Sequence, residues 1–377
     1  MKPHKNRLSE VALVFLKLGF FSFGGPAAHT AMMEEEVVNR RKWIDRQHFL
    51  DLLGATNLIP GPNSTEMTMH CGHERAGFAG LIVAGLSFIL PAVLITSGFA
   101  WLYVEYGHLP AIEPYIFGIK PAVLAIIASA IISLGKKAVK GRETAILGVL
   151  VLAAGIAGVN EITALLIAGI TGTLYFYLKN NRKEKLSSLI SLMAVPAVSS
   201  AVSGISALGL FWVFLKIGAV LYGSGYVLFA YIDAELVTRG WLNHEQLMDA
   251  IAVGQFTPGP ILSTVTFIGY MLGGIPGAVA ATAGAFLPSF LFVLILNPWI
   301  PRMRRSKIMG WFLDSVNVAS IAVMASVLFV MTLSTVTDWR EALITVISLV
   351  VTFVFKKSSP VLLVAGGSVA GALLLMI

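Results

Sequence analysis

Apolar residues fall in long unbroken runs, and charged residues are confined to the short segments between them. Residues 77–102, 112–133, 276–297 and 311–333 are the clearest runs, broken mainly by Lys120 and Asp314 near their ends. Each exceeds the roughly 18 residues needed to cross a hydrocarbon core about 30 Å thick as a helix. Shorter runs at about 145–160, 161–178, 341–355 and 360–377 complete the pattern as further spans. Ahead of the spans, each half has segments too short to cross as straight helices. In the first half these are 8–38, interrupted at Gly24-Gly25-Pro26, and 45–74, interrupted at Pro60-Gly61-Pro62. Gly and Pro stop one helix and let another begin at once, so each segment predicts a pair of half-helices that dips into the membrane and returns.

The pattern is written twice. Phe15-Leu16-Lys17-Leu18-Gly19 returns as Phe214-Leu215-Lys216-Ile217-Gly218. Gly24 returns as Gly223, Glu36 as Glu235, Arg40 as Arg239, Trp43 as Trp241 and Asp51 as Asp249. Pro60-Gly61-Pro62 returns as Pro258-Gly259-Pro260, and Leu90-Pro91 as Leu287-Pro288. Order is kept with two one-residue slips, which marks an internal repeat. It divides the chain into residues 1–186, a linker span 187–207, rich in serine and containing Pro196, and residues 208–377.

Charge in equivalent connectors sets the relation between the halves. Loop 103–112 has no Lys or Arg, whereas its counterpart has Arg302, Arg304, Arg305 and Lys307. Loop 134–144 has Lys136, Lys137, Lys140 and Arg142, whereas its counterpart has only Arg340. The turn near Asn160 has none and its counterpart has Lys356 and Lys357; the start of half one has Lys2, Lys5 and Arg7, and the start of half two has none. Every comparison reverses. By the positive-inside rule the halves are inverted in the membrane. The expected fold is therefore all-α and polytopic, an inverted-topology repeat with discontinuous re-entrant half-helices. The N-terminus is expected in the cytoplasm and the C-terminus outside.

Composition adds exclusions. Hydrophobic residues make up 56% of the chain and charged residues 12%, too little polar surface for a soluble fold. The formal charge of +7 sits in the connectors and is no nucleic-acid signal. The lone cysteine, Cys71, cannot form an intramolecular disulfide. The apolar stretch 11–23 after Lys2, Lys5 and Arg7 looks like a signal peptide, but it recurs mid-chain, where no cleavage signal belongs. No Gly-x-x-x-x-Gly-Lys-Ser/Thr run is present, and no nucleophile, base and metal set assembles; neither an enzyme nor a cofactor is expected. His70, Cys71 and His73 form an incomplete metal set with no counterpart in half two, so no metal is expected.

The breaks point to an anion. A helix N-terminus offers unpaired N–H groups and a partial positive charge. Four are implied, after Gly25, Gly61, Ser224 and Gly259, flanked by Gly24, Pro60, Gly223 and Gly225. Hydrogen-bond donors stand beside them: Asn63, Ser64 and Thr65 in half one, Ser224, Ser263 and Thr264 in half two. Four ordinary kinks would explain Gly and Pro equally well, but their repeat-related positions favour a discontinuous-helix site. Lys17 and Lys216 lie inside apolar legs at one repeat position, either near the anion or snorkelling to an interface. Lys120, opposite Asn317, reads as a snorkelling end-of-span lysine, and Glu34, Glu35 and Glu36 as a solvated cluster. Glu66 has Thr264 at the equivalent position; a lone carboxyl at that depth is a candidate proton carrier, because burial favours the neutral form.

Several of these motifs occur together in one family. Phe23-Gly24-Gly25-Pro26, Glu36 with Trp43, Pro60-Gly61-Pro62-Asn63-Ser64-Thr65-Glu66 and Phe88-Ile89-Leu90-Pro91 carry the likeness in half one. Gly240-Trp241, Thr257-Pro258-Gly259-Pro260 and Phe286-Leu287-Pro288-Ser289-Phe290 carry it in half two. The chain resembles the chromate ion transporter family in its long two-domain form. Ser224 departs from the family pattern, which has glycine there, as does the stretch after the first Pro-Gly-Pro. The resemblance implies a bacterial plasma-membrane protein that exports chromate and confers resistance to it, with sulfate as a related substrate. Proton-coupled export is the first expectation; uptake of sulfate or another oxyanion, or an anion channel, is the alternative. Expected partners are the transported anion and membrane lipid, with a homodimer as the candidate assembly.

Overall fold

The computed structural model describes residues 4–22, 25–107, 109, 112–180, 205–222, 225–296, 306–355 and 359–375, which form helices and no strand. Half one contains α1 (His4–Phe21), α2 (Gly25–Met33), which widens into a π-helical turn (Glu34–Arg40), and α3 (Arg46–Thr56). It continues with α4 (Asn63–Tyr106), α5 (Glu113–Ala138), α6 (Arg142–Ile156) and α7 (Glu161–Asn180). Half two repeats the order with α8 (Ala207–Val220), α9 (Leu228–Ile232) with flanking short turns, and α10 (His244–Phe256). There follow α11 (Thr264–Leu296), α12 (Lys307–Thr335), α13 (Trp339–Val354) and α14 (Pro360–Leu375). Helices stop at the Gly and Pro positions that the sequence marks. Of the expected linker span 187–207, all but its last three residues lie outside the described residues.

By length and apolarity, five helices among the described residues can cross a membrane: α4, α5, α7, α11 with its leading turn, and α12. Their apolar faces make this a multi-pass membrane protein. The shorter expected spans correspond to α6, α13 and α14, with 15, 16 and 16 described residues.

The structure adds a reversal inside α4 and α11 that the sequence reading lacks. Ala76 and Gly77 leave helical geometry, with Gly77 at φ 65°, and Gly273 and Gly274 do the same, with Gly274 at φ 59°. The arm before each kink folds back on the helix after it. A Cβ on Gly72 or Gly80 would overlap the other's backbone carbonyl region, and Gly269 and Gly277 are in the same relation. Only glycine allows backbones this close.

The halves clasp each other reciprocally. α5 packs on α13 and α14 of half two, while its equivalent α12 packs on α6 and α7 of half one; α4 meets its own equivalent α11. Small residues make these contacts: Gly118 faces Gly367 and Gly371, Gly155 faces Ser326, and Gly172 faces Ser315.

Candidate functional site

Several helices that begin away from the breaks are closed by side chains, although α5, preceded by Ile112, is not. Asp45 Oδ1 accepts from His48 N at 2.9 Å ahead of α3, and Asn243 and Gln246 form a reciprocal capping box on α10. Ser206 and Ser306 cap α8 and α12 in the same way. After Pro60-Gly61-Pro62 and Pro258-Gly259-Pro260 the position is taken by Pro62 and Pro260, neither of which can cap with its side chain. Thr65 N and Glu66 N turn back to Pro62 O, and Ser263 N turns back to Pro260 O. These helix starts therefore keep donors and positive potential for something other than their own cap.

The two Pro-Gly-Pro turns reach across to the breaks of the opposite half. Gly61 N donates to Leu221 O at 2.7 Å, and Gly259 N donates to Ser22 O at 2.9 Å. Ser22 O also faces His29 Nε2 at 3.2 Å. Gly61 has φ +143° and Gly259 φ +89°, values that a side chain rarely adopts. A Cβ at Gly61 would overlap Glu66 Oε1 and Ser289 Oγ; one at Gly259 would press on Ala92 at 2.9 Å. Of the expected site residues, Gly24, Gly223 and Ser224 lie outside the described residues. Gly25 opens α2, and Gly225 opens the turn before α9 and faces Ile261.

Around this interlock, buried polar groups lack partners among the described residues. Glu66 is 0% exposed and neither carboxyl oxygen is hydrogen-bonded. The Tyr222 side chain of the opposite half lies within its electrostatic reach. Thr65 Oγ1, Ser289 Oγ, Ser22 Oγ and His29 Nδ1 are also unpartnered. Buried polar atoms without partners are costly, and although such atoms occur elsewhere too, Glu66 and Ser289 meet at Gly61, where a polar ligand or a proton could satisfy them. Ser64 and Ser263 are buried, with Thr96 Oγ1 at 3.5 Å from Ser263 Oγ. Asn63 Nδ2 donates to Asn57 Oδ1 at 2.8 Å. Sequence reading missed Ser22, His29, Tyr222 and Ser289. Ser22 and Tyr222 carried a signal, since both stand just before a Gly break.

The lysines have other company. Lys216 Nζ is 2.6 Å from Glu235 Oε1, and Arg239 Nη2 is 2.7 Å from Glu235 Oε2. Glu36, the equivalent of Glu235, binds Arg41 at 2.9 Å and Arg40 at 3.4 Å and feels the charge of Lys17, which is itself exposed. Burial raises the Glu36 carboxyl, and the two arginines outweigh it and hold the group below the usual range. Glu36 is thus buried in an ion cluster, correcting its reading as solvated. Lys120 pairs with the exposed Glu245 at 3.5 Å. Asp51 and Asp249 diverge, since Asp249 is buried and accepts from Tyr103 at 2.6 Å, whereas Asp51 is half-buried beside Gln47.

Comparison with known proteins bears on what such a site carries. The family described as "Chromate transporter" matches the chain twice, over residues 9–173 and 208–372. The chromate transport protein of Cupriavidus metallidurans is 30% identical across 97% of this chain and 92% of its own length. A probable chromate transport protein of Synechococcus elongatus is 30% identical across 97% and 95%. An uncharacterized transporter of Methanocaldococcus jannaschii is 25% identical across 97% and 94%. No solved structure matches.

Proposed function

Because the chain belongs to the chromate transporter family, we propose that it is a secondary transporter exporting chromate across the bacterial plasma membrane, coupled to protons through Glu66. The carrying observation is the interlock of uncapped Pro-Gly-Pro helix starts around a buried carboxyl that has no partner. A tetrahedral dianion takes several N–H donors at once, and opposed helix starts supply them from both halves. In this reading Gly24, Gly25, Pro60, Gly61, Asn63, Ser64 and Thr65 hold the anion from half one. Gly223, Ser224, Gly225, Gly259 and Ser263 hold it from half two. Lys17 and Lys216 add a positive field, since Lys216 and Arg239 together outweigh the one carboxylate of Glu235.

Glu66 is the fourth residue of a helix whose start would hold the anion. An ionised carboxylate there competes with a dianion for the same field, so anion occupancy and Glu66 protonation rise together. Export fits the electrical gradient, because a dianion leaving a negative interior with one bound proton carries one net charge and gains about 2.3 kcal/mol per 100 mV. The same reading has the halves inverted. In its support, Lys140, just past the end of α5, meets Asp314 near the start of α12 at 2.6 Å, so these equivalent helices run antiparallel.

Flux of chromate, sulfate and molybdate into proteoliposomes, with and without a pH gradient, tests the proposal. Chromate should move, sulfate should compete, and Glu66→Gln should abolish the response to pH while sparing anion binding. Purified protein that moves and binds none of the three would sink it. Sulfate carried without chromate would transfer the assignment to the alternative substrate.

A further inference from the structure

A cavity of about 380 Å³ opens where α5 ends, lined by Lys137, Lys140, Gly310, Asp314 and Asn317, with Asn57 on its wall. These residues come from three places: the tail of α5, the first turns of α12, and the segment leading from α3 to the first Pro-Gly-Pro. Lys140 is held by Asp314 at 2.6 Å. Lys137 is exposed and forms no ion pair among the described residues, so the lining carries one uncompensated positive charge. Asn57 links it inward: its Oδ1 accepts from Asn63, which opens the helix after Pro60-Gly61-Pro62. Cation, polar wall and uncapped helix start thus follow one another.

The repeat-equivalent place in the other half lacks these cations. Ser334 and Thr337 stand where Lys137 and Lys140 would be, and Gln255 stands for Asn57. The one lysine there, Lys120, equivalent to Asn317, pairs with Glu245 at 3.5 Å, so this end lacks the uncompensated positive charge that Lys137 supplies. A repeat that keeps its core but, among the described residues, leaves a free cation at only one of its two mouths gives a dianion a preferred face of approach, because a positive cleft concentrates its counter-ion. We infer that the Lys137–Lys140 cavity is the loading vestibule for the oxyanion on the Lys/Arg-rich, cytoplasmic face. Lys137 makes first contact, Lys140 exchanges Asp314 for the anion, and Asn57 passes it to Asn63. The inference rests on the oxyanion-transport reading above and deepens it with a direction of loading.

Two measurements test it separately. In vesicles of known orientation, the Lys137→Gln/Lys140→Gln pair should raise the chromate KM about three- to tenfold when loading is from the vestibule face, with kcat unchanged. Salt dependence of kcat/KM should flatten, Lys137→Arg should restore both, and Asp314→Asn should lower KM. Wild-type transport with KM and salt slope unmoved in the double variant overturns the inference and leaves the transport reading standing. Independently of flux, Asn317→Cys should react faster with an anionic than with a cationic thiosulfonate. The double lysine variant should erase that preference, and sulfate should slow the reaction. Equal rates with both reagents overturn the vestibule whatever the protein transports, whereas a charge preference without any oxyanion flux refutes the transport reading alone.

Discussion

Two buried glutamates have opposite surroundings. Glu235, its side chain 4% exposed, is gripped by Lys216 and Arg239, while Glu66 is gripped by nothing among the described residues. Removing one partner of a buried pair leaves an uncompensated charge, here moderated because both cations are a third or more exposed. Glu235→Gln and Lys216→Met should each cost about 1–3 kcal/mol and lower Tm in detergent. Their effects on the anion should diverge, because the first makes the group more positive and the second makes it neutral: affinity rises in Glu235→Gln and falls in Lys216→Met. Equal affinity in both would remove the lysines from the site. Glu66→Gln, with no ion pair to break, should lower Tm less than Glu235→Gln. At the start of α10, His244 Nε2 lies 3.0 Å from Asp233 Oδ1, close but off the hydrogen-bond axis. The carboxylate raises the histidine against the opposing effect of burial. A raised folded-state value means that this stabilisation is complete below the free-histidine value of about 6.5 and is lost as pH rises through the higher folded value. The Tm advantage of wild type over His244→Gln should therefore be full below about pH 6.5 and shrink as pH rises above it.

At the scale of elements, glycines decide which helices fold back and which run on. Gly80 sits against the Gly72 carbonyl, so Gly80→Ala forces the arm and the span of α4 apart. Gly98, on the same helix, has nothing within 4 Å, and there alanine only removes backbone entropy. Gly98→Ala should raise stability by about 0.5–1 kcal/mol, while Gly80→Ala should lower it, read as Tm of the purified protein. Much of this architecture is legible in sequence because Gly-Gly-Pro and Pro-Gly-Pro interrupt apolar runs wherever a helix must stop. Ala76-Gly77 and Gly273-Gly274 were missed because a glycine in an apolar run looks like ordinary membrane-helix packing; only their match across the repeat distinguishes them. The site was legible by half. Pro60-Gly61-Pro62 and Glu66 announce themselves, whereas Ser289 lies over two hundred residues further on and reaches Glu66 only because α11 packs on α4. The ion clusters of Lys216 and Lys120 were hidden for the same reason, since their partners Glu235 and Glu245 come from other helices.

Across the whole molecule, the reciprocity of contacts carries a topological consequence. Gly61 reaches Leu221 while Gly259 reaches Ser22, and Gly61 abuts Ser289 while Gly259 abuts Ala92, the equivalent of Ser289. Such exchange is what a pseudo-twofold axis between the halves produces, and an axis in the membrane plane turns one half upside down. Loop 134–144, with four basic residues, meets the start of α12 through Lys140 and Asp314, while Lys120, near the start of α5, meets Glu245 near the start of α10. If basic connectors stay in the cytoplasm, Gly107 and Thr337 face outside and Ser306 faces inside. Cys71 is fully buried and should stay silent toward impermeant thiol reagents, so single cysteines can be read directly. Gly107→Cys and Thr337→Cys should label in intact cells, and Ser306→Cys only after permeabilisation. Gly107→Cys and Ser306→Cys labelling from the same side would place the two halves in parallel, and the opposed helix starts would then need another explanation.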